Sequence, residues 1–183
     1  MAAGAAVPGL FFTFAAMVLL VIASVSSPTW DKVYYLRANG VHYGTFGFTG
    51  SQSHIGYDFQ GINSSRLSES LIHNLTDTLI LVPVAAGLSG LAFLFGVCGA
   101  GYHRAGTVFM ALFSALAMLA TVVAWVIAMV LFSIAKHEYR KNDLSAEYGN
   151  ALWLVLGAMV ALFVGFCTSA CGVFGSYRRR NAY

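Results

Sequence analysis

The chain has 183 residues, 58% of them apolar and only 9% charged, with a formal net charge of +3. Soluble domains carry roughly 25% charged residues, so this composition excludes a water-soluble fold and leaves a membrane protein. No nucleic-acid partner is expected.

No charged side chain occurs in the first thirty residues. Residues 7–27 are long enough for a first span, since crossing the hydrocarbon core takes about 20 helical residues. A cleaved signal peptide ending near "ASVSS" is the rival reading. It would need a basic n-region, which the chain lacks, so a retained span is preferred.

Residues 28–78 form the first loop, and its opening alternates. "DKVYYLRANG" and "VHYGTFGF" place Val33, Tyr35, Val41 and Tyr43 at strand spacing, joined by Asn39-Gly40. Asn-Gly between alternating runs is the strongest short hairpin signal, and "HIGYDF" is the expected third strand. An isolated hairpin is marginal in water, so packing of Trp30, Tyr43, Phe46, Phe48 and Tyr57 is expected to hold this loop. Further on, Leu67, Leu71, Leu75 and Leu79 repeat every fourth residue. That spacing predicts a helix capped by Ser64 or Ser65 and feeding the second span. Asn63-Ser-Ser and Asn74-Leu-Thr match N-glycosylation sequons, and Asn63 is the better acceptor because Asn74 lies close to the membrane.

Residues 79–100 form the second span, with Pro83 accommodated by a mild kink. A short turn (101–106), a third span (107–135), a second loop (136–149) and a fourth span (152–174) follow, ending in the tail 176–183. The third span exceeds the bilayer thickness and is expected to project as a stalk. The turn and tail carry Arg104, Arg178, Arg179 and Arg180 with no acid; the loops carry mixed charge. By the positive-inside rule both termini are then cytoplasmic and both loops extracellular. Arg178, Arg179 and Arg180 could also meet anionic lipid.

Within the spans, no Asp, Glu, Lys or Arg occurs. Such residues mark pumps, transporters and voltage sensors, so those functions are disfavoured. Small residues recur instead at Ala92 and Gly96, at Ala120 and Ala124, and at Gly157, Ala161 and Gly165. These ladders suit close helix packing, chiefly within the bundle, with one face open to another membrane protein. Cys98, Cys167 and Cys171 lie in the cytoplasmic halves of their spans, as small packing residues or as palmitoylation sites. No cofactor or metal is expected: His42, His54, His73, Asp58 and Glu69 are scattered without ligand spacing. The fold expected is an all-α four-helix membrane bundle carrying a small antiparallel β-sheet.

Four spans, a large first loop and a tryptophan just after span one resemble the claudin superfamily. "SSPTWDKVYYLRA", "YGTFGFTG" and "HIGY" look more closely like the fungal Sur-seven/PalI family of claudin-like plasma-membrane proteins. That family usually carries a cysteine pair soon after the Gly-aromatic run; here the stretch reads "TGSQSH" and has none. The resemblance implies plasma-membrane organisation, cell-wall integrity or ambient-pH signalling beside a receptor. A non-catalytic accessory or scaffold subunit that binds laterally to a larger plasma-membrane protein, such as a transporter or proton pump, is the reading preferred. The alternatives are a self-assembling organiser of membrane domains and a component of pH sensing. Trp30 reads either as a membrane-belt aromatic or as a plug tying loop to bundle.

Overall fold

A computed structural model describes residues 3–53, 55–57, 74–101 and 104–180. Four helices dominate: α1 (Ala3–Ser24), α2 (Leu81–Gly101), α3 (Arg104–Lys141) and α4 (Asn150–Arg180). Each contains a stretch long and apolar enough to cross a bilayer. With no water in the hydrocarbon, a helix is the one open-chain form that satisfies every backbone group internally. This is a multi-pass membrane protein.

The helices close into a ring: α1 packs against α2 and α4, and α3 against the same two. Ala92 and Ala124 are buried, as is Gly96, where a side chain would meet Met110 of α3 and Leu10 of α1. Gly165 faces α1: a Cβ there would lie 3.2 Å from the Thr13 hydroxyl. Ala120 and Ala161 are half-buried and Gly157 is exposed. These ladders are therefore largely used up inside the ring, where close approach replaces a hydrophobic drive that lipid cannot supply. Two buried hydroxyls are satisfied within their own helix: Thr13 donates to the Gly9 carbonyl at 2.8 Å and Thr121 to Ala117 at 2.7 Å.

Residues 74–77 are helical, and a 3-10 turn at Thr78–Ile80 leads into α2. Pro83 has no N–H to offer the Leu79 carbonyl, and the ladder tightens in that stretch. Of the predicted leucine helix, Leu75 is half-buried and Leu79 buried. Leu67, Leu71 and the serine cap lie outside the described residues.

The sheet has three antiparallel strands in the order β2 (Val41–Tyr43), β1 (Leu36–Ala38), β3 (Ala146–Tyr148). Asn39 and Gly40 both take positive φ, +48° and +81°, the pair of values a two-residue type I′ hairpin requires. Register sets Arg37 opposite His42 on one side and Glu147 on the other.

The third strand departs from the expectation. It comes from the second loop; of "HIGYDF" the described residues are Ile55–Tyr57, where Ile55 and Gly56 form a bend and no strand. α3 explains this: it continues to Lys141, so six residues assigned to the second loop are helical and carry the chain to the sheet. α4 likewise extends to Arg180, into the predicted tail.

Candidate interaction cap

The sheet and the segments around it form a cap on one end of the bundle, and aromatic rings bind the two together. Tyr43 of β2 and Tyr139 of α3 share a buried hydrogen bond between their hydroxyls, 2.8 Å long. Tyr43 stacks on Tyr57 with centroids 6.1 Å apart, and Phe48 leans on both rings. The Tyr57 hydroxyl donates to the Gly44 carbonyl at 2.7 Å. Tyr35 stacks on Phe132 of α3 at 5.4 Å. One cluster thus joins the first loop to the outer turns of the longest helix, doing by burial what a disulfide does in many small external domains.

Hydrogen bonds fix the remaining edges. The Thr45 amide donates to Ser26 Oγ at 2.9 Å, and its hydroxyl donates to the Ala23 carbonyl at 3.2 Å. Thr76 Oγ1 accepts from the Tyr57 amide and donates to the Tyr57 carbonyl, both at 3.1 Å. The Ser27 and Thr49 hydroxyls each donate to the Asp31 carboxylate at 3.1 Å. On the α4 side, the Ala151 amide donates to the Tyr34 carbonyl at 3.0 Å.

Two glycines owe their place to space. A Cβ at Gly44 would overlap the Ser27 carbonyl, and one at Gly149 the Tyr34 carbonyl. The cap presses its backbone directly on the chain leaving α1 and on the chain entering α4.

Burial raises the pKa of two tyrosines that the first loop contributes to this core, Tyr35 and Tyr57. Tyr35 is held well above the ordinary tyrosine range, because an ionised phenolate would be stranded without water. Tyr57 is raised by burial first, then by the neighbouring hydroxyls of Tyr43, Tyr35 and Tyr139. The Tyr35 hydroxyl is sealed without a hydrogen bond of good geometry; Thr45 beside it is committed to Ala23 and Ser26. The Tyr35 and Tyr57 phenols are therefore neutral at physiological pH, which suits packing.

Among the predicted cap residues, Tyr43 and Tyr57 are buried and Phe46 and Phe48 half-buried, whereas Trp30 is 48% exposed and outside the core. Asn74 is exposed; Asn63 lies outside the described residues. Cys98 is exposed and Cys167 half-buried, both free thiols. Cys171 and Arg178–Arg180 lie on α4. Among the described residues no three of His, Cys, Asp and Glu are placed to hold a metal. His42 stacks flat on Tyr34, 4.5 Å between centroids; His54, His73, Asp58 and Glu69 are outside the described residues.

Phe132 and Tyr139, which carry half the cluster, were not singled out by sequence reasoning. Their signal was available: Leu131, Phe132, Ala135 and Tyr139 keep helical spacing across the first charged residues of the second loop.

The family model for the SUR7/PalI family matches residues 5–165, nearly all of the bundle and cap together. The chain belongs to the SUR7/PalI family. TOS7, an uncharacterized membrane protein of Saccharomyces cerevisiae, is 30% identical to this SUR7/PalI protein over 89 residues. That stretch is 44% of this chain but 16% of TOS7, so the similarity spans a small part of that longer relative.

Proposed function

We propose that this SUR7/PalI protein is a non-catalytic accessory or scaffold subunit of the plasma membrane, binding laterally to a larger integral membrane protein. The observation that carries the reading is the inward commitment of the cap. Tyr43, Tyr139, Tyr57, Thr45 and Thr76 all use their hydroxyls to join cap to bundle or to brace the cap itself. What the sheet turns outward is a fixed row, His42–Arg37–Glu147, in cross-strand register. A rigid platform on an uncharged bundle suits recognition better than turnover. Charge supports a cap outside the cell: Arg104 and Arg178–Arg180 lie toward the opposite end of the helices, the side that the positive-inside rule assigns to the cytoplasm.

Affinity purification from native membranes after cross-linking tests this. A larger membrane protein retained with wild type and lost in an Arg37→Ala, Glu147→Ala double variant is expected. Wild type recovered alone after cross-linking defeats the reading. Self-assembly is the second reading, favoured by one observation: β3 is an edge strand, and exposed edges pair. Co-expression of two differently tagged copies separates the cases, since only self-assembly lets one tag retrieve the other.

A further inference from the structure

The lipid-facing stripes of α1 and α4 both lead to a tryptophan, close to where charge begins. Phe14, Val18 and Val21 of α1, and Val25 just past its end, are exposed at intervals of three and four residues. Trp30 follows, and exposed Asp31 and Lys32 come next. On α4, Phe163, Val160 and Trp153 recur along one face toward the cap, Trp153 being 65% exposed. Beyond it stand exposed Asn150 and Glu147.

Backbone hydrogen bonds hold the segments in which both residues stand. Val33 donates to the Trp30 carbonyl and Ala151 to the Tyr34 carbonyl, each at 3.0 Å. The exposed indoles are not overflow from a small core, because Tyr35 and Tyr43 in the same cap are fully buried. Trp125, the third tryptophan, differs: its indole nitrogen is sealed in the bundle without a partner. An indole has an apolar face for acyl chains and one N–H for the ester and phosphate oxygens above them.

We propose that Trp30 and Trp153 form a two-point seat in the phospholipid headgroup boundary of the leaflet beneath the cap, fixing the height of the sheet above the membrane. The occupant is lipid and not a partner protein, because Trp153 continues a stripe of exposed apolar residues on α4, Trp30 follows shortly after the one on α1, and exposed charges stand beyond each. α1 and α4 are packed neighbours; Trp153 lies on α4 and Trp30 six residues past the end of α1.

The test uses the full chain in phosphatidylcholine vesicles containing nitroxide-labelled lipid, the label placed either near the headgroup or near the chain end. Two-site Trp→Phe variants leave Trp30 or Trp153 alone. Each is expected to emit to the blue of an indole in water and to lose more intensity to the shallow label than to the deep one. Greater loss to the deep label, loss only to an aqueous quencher, or loss to neither overturns the proposal. Because Trp125→Phe alters a packed residue, Trp30→Phe and Trp153→Phe alone, each retaining Trp125, give the same depths by difference from wild type.

Discussion

A hydroxyl shared between two buried tyrosines can be tested one atom at a time. Tyr43→Phe and Tyr139→Phe each remove the 2.8 Å bond and leave the other phenol without that partner. Each single change is expected to cost about 1–2 kcal/mol, since an orphaned buried donor loses its full solvation. The double change removes both polar atoms and is expected to cost less than the sum of the two. Thermal unfolding in detergent, read as a double-mutant cycle, checks this; strict additivity would mean that the hydroxyls do not act on each other. Tyr35 should behave oppositely, because its hydroxyl makes no good bond to lose. Tyr35→Phe is expected to leave stability at neutral pH unchanged or slightly raised. Its pH signature follows from a folded-state pKa that burial raises above the ordinary tyrosine value of about 10. Such a group contributes fully below the unfolded value and loses that contribution as pH rises above it. Wild type should therefore lose stability above about pH 10, and Tyr35→Phe should lose less, in unfolding curves measured from pH 8 to 11. Sequence pattern made Tyr43 and Tyr57 legible as core by their alternation with glycine. It could not assign Trp30, because an aromatic beside a span reads equally as plug or belt until its exposure is known.

Periodicity carries far at the scale of elements and then fails at one kind of join. The four helices and the Asn39-Gly40 hairpin were legible because an uncharged run and a two-residue turn are local signals. The third strand was not. "AEY" is three residues long, too short for alternation to register, and its partner β1 lies more than one hundred residues away in the chain. What would have pointed to it is the end of α3: with Tyr139 buried, the helix must continue past Lys136, and the following residues then arrive beside the sheet. Side chains of α3 hold β3 there. The Tyr148 hydroxyl lies 3.0 Å from that of Ser133, and the Lys136 ammonium sits 3.8 Å from the Tyr148 ring centre. Gly149 closes the join, because a Cβ there collides with the Tyr34 carbonyl. Gly149→Ala is expected to cost about 3 kcal/mol, at the upper end of overpacking penalties, and to release β3 first. Hydrogen exchange reads this directly: the Gly149 amide, bonded to the Tyr35 carbonyl at 2.8 Å, should lose protection while Tyr35, bonded on the β2 side, keeps more of its own.

For the whole molecule the question is whether cap and bundle are one cooperative unit. A cap of three three-residue strands buries too little on its own to be stable, so it must draw stability from the helices. The contacts needed for that run to three helices: Thr45 to Ala23 at the end of α1, Tyr43 to Tyr139 and Tyr35 to Phe132 on α3, and Tyr34 to Ala151 on α4. Two changes at opposite ends should then act on the same equilibrium. Gly44→Ala wedges the cap against the Ser27 carbonyl, whereas Gly165→Leu pushes α4 from Thr13 and Gly9 of α1 far below it. Each is expected to cost about 3 kcal/mol or somewhat more and to lower one shared transition. That transition should appear at the same temperature in helical circular dichroism and in near-ultraviolet signals from the buried tyrosines. If Gly44→Ala instead melts the tyrosine signal while the helices hold, the cap is a separate, weaker body. Its outward row His42–Arg37–Glu147 would then lack the rigidity that a recognition platform needs.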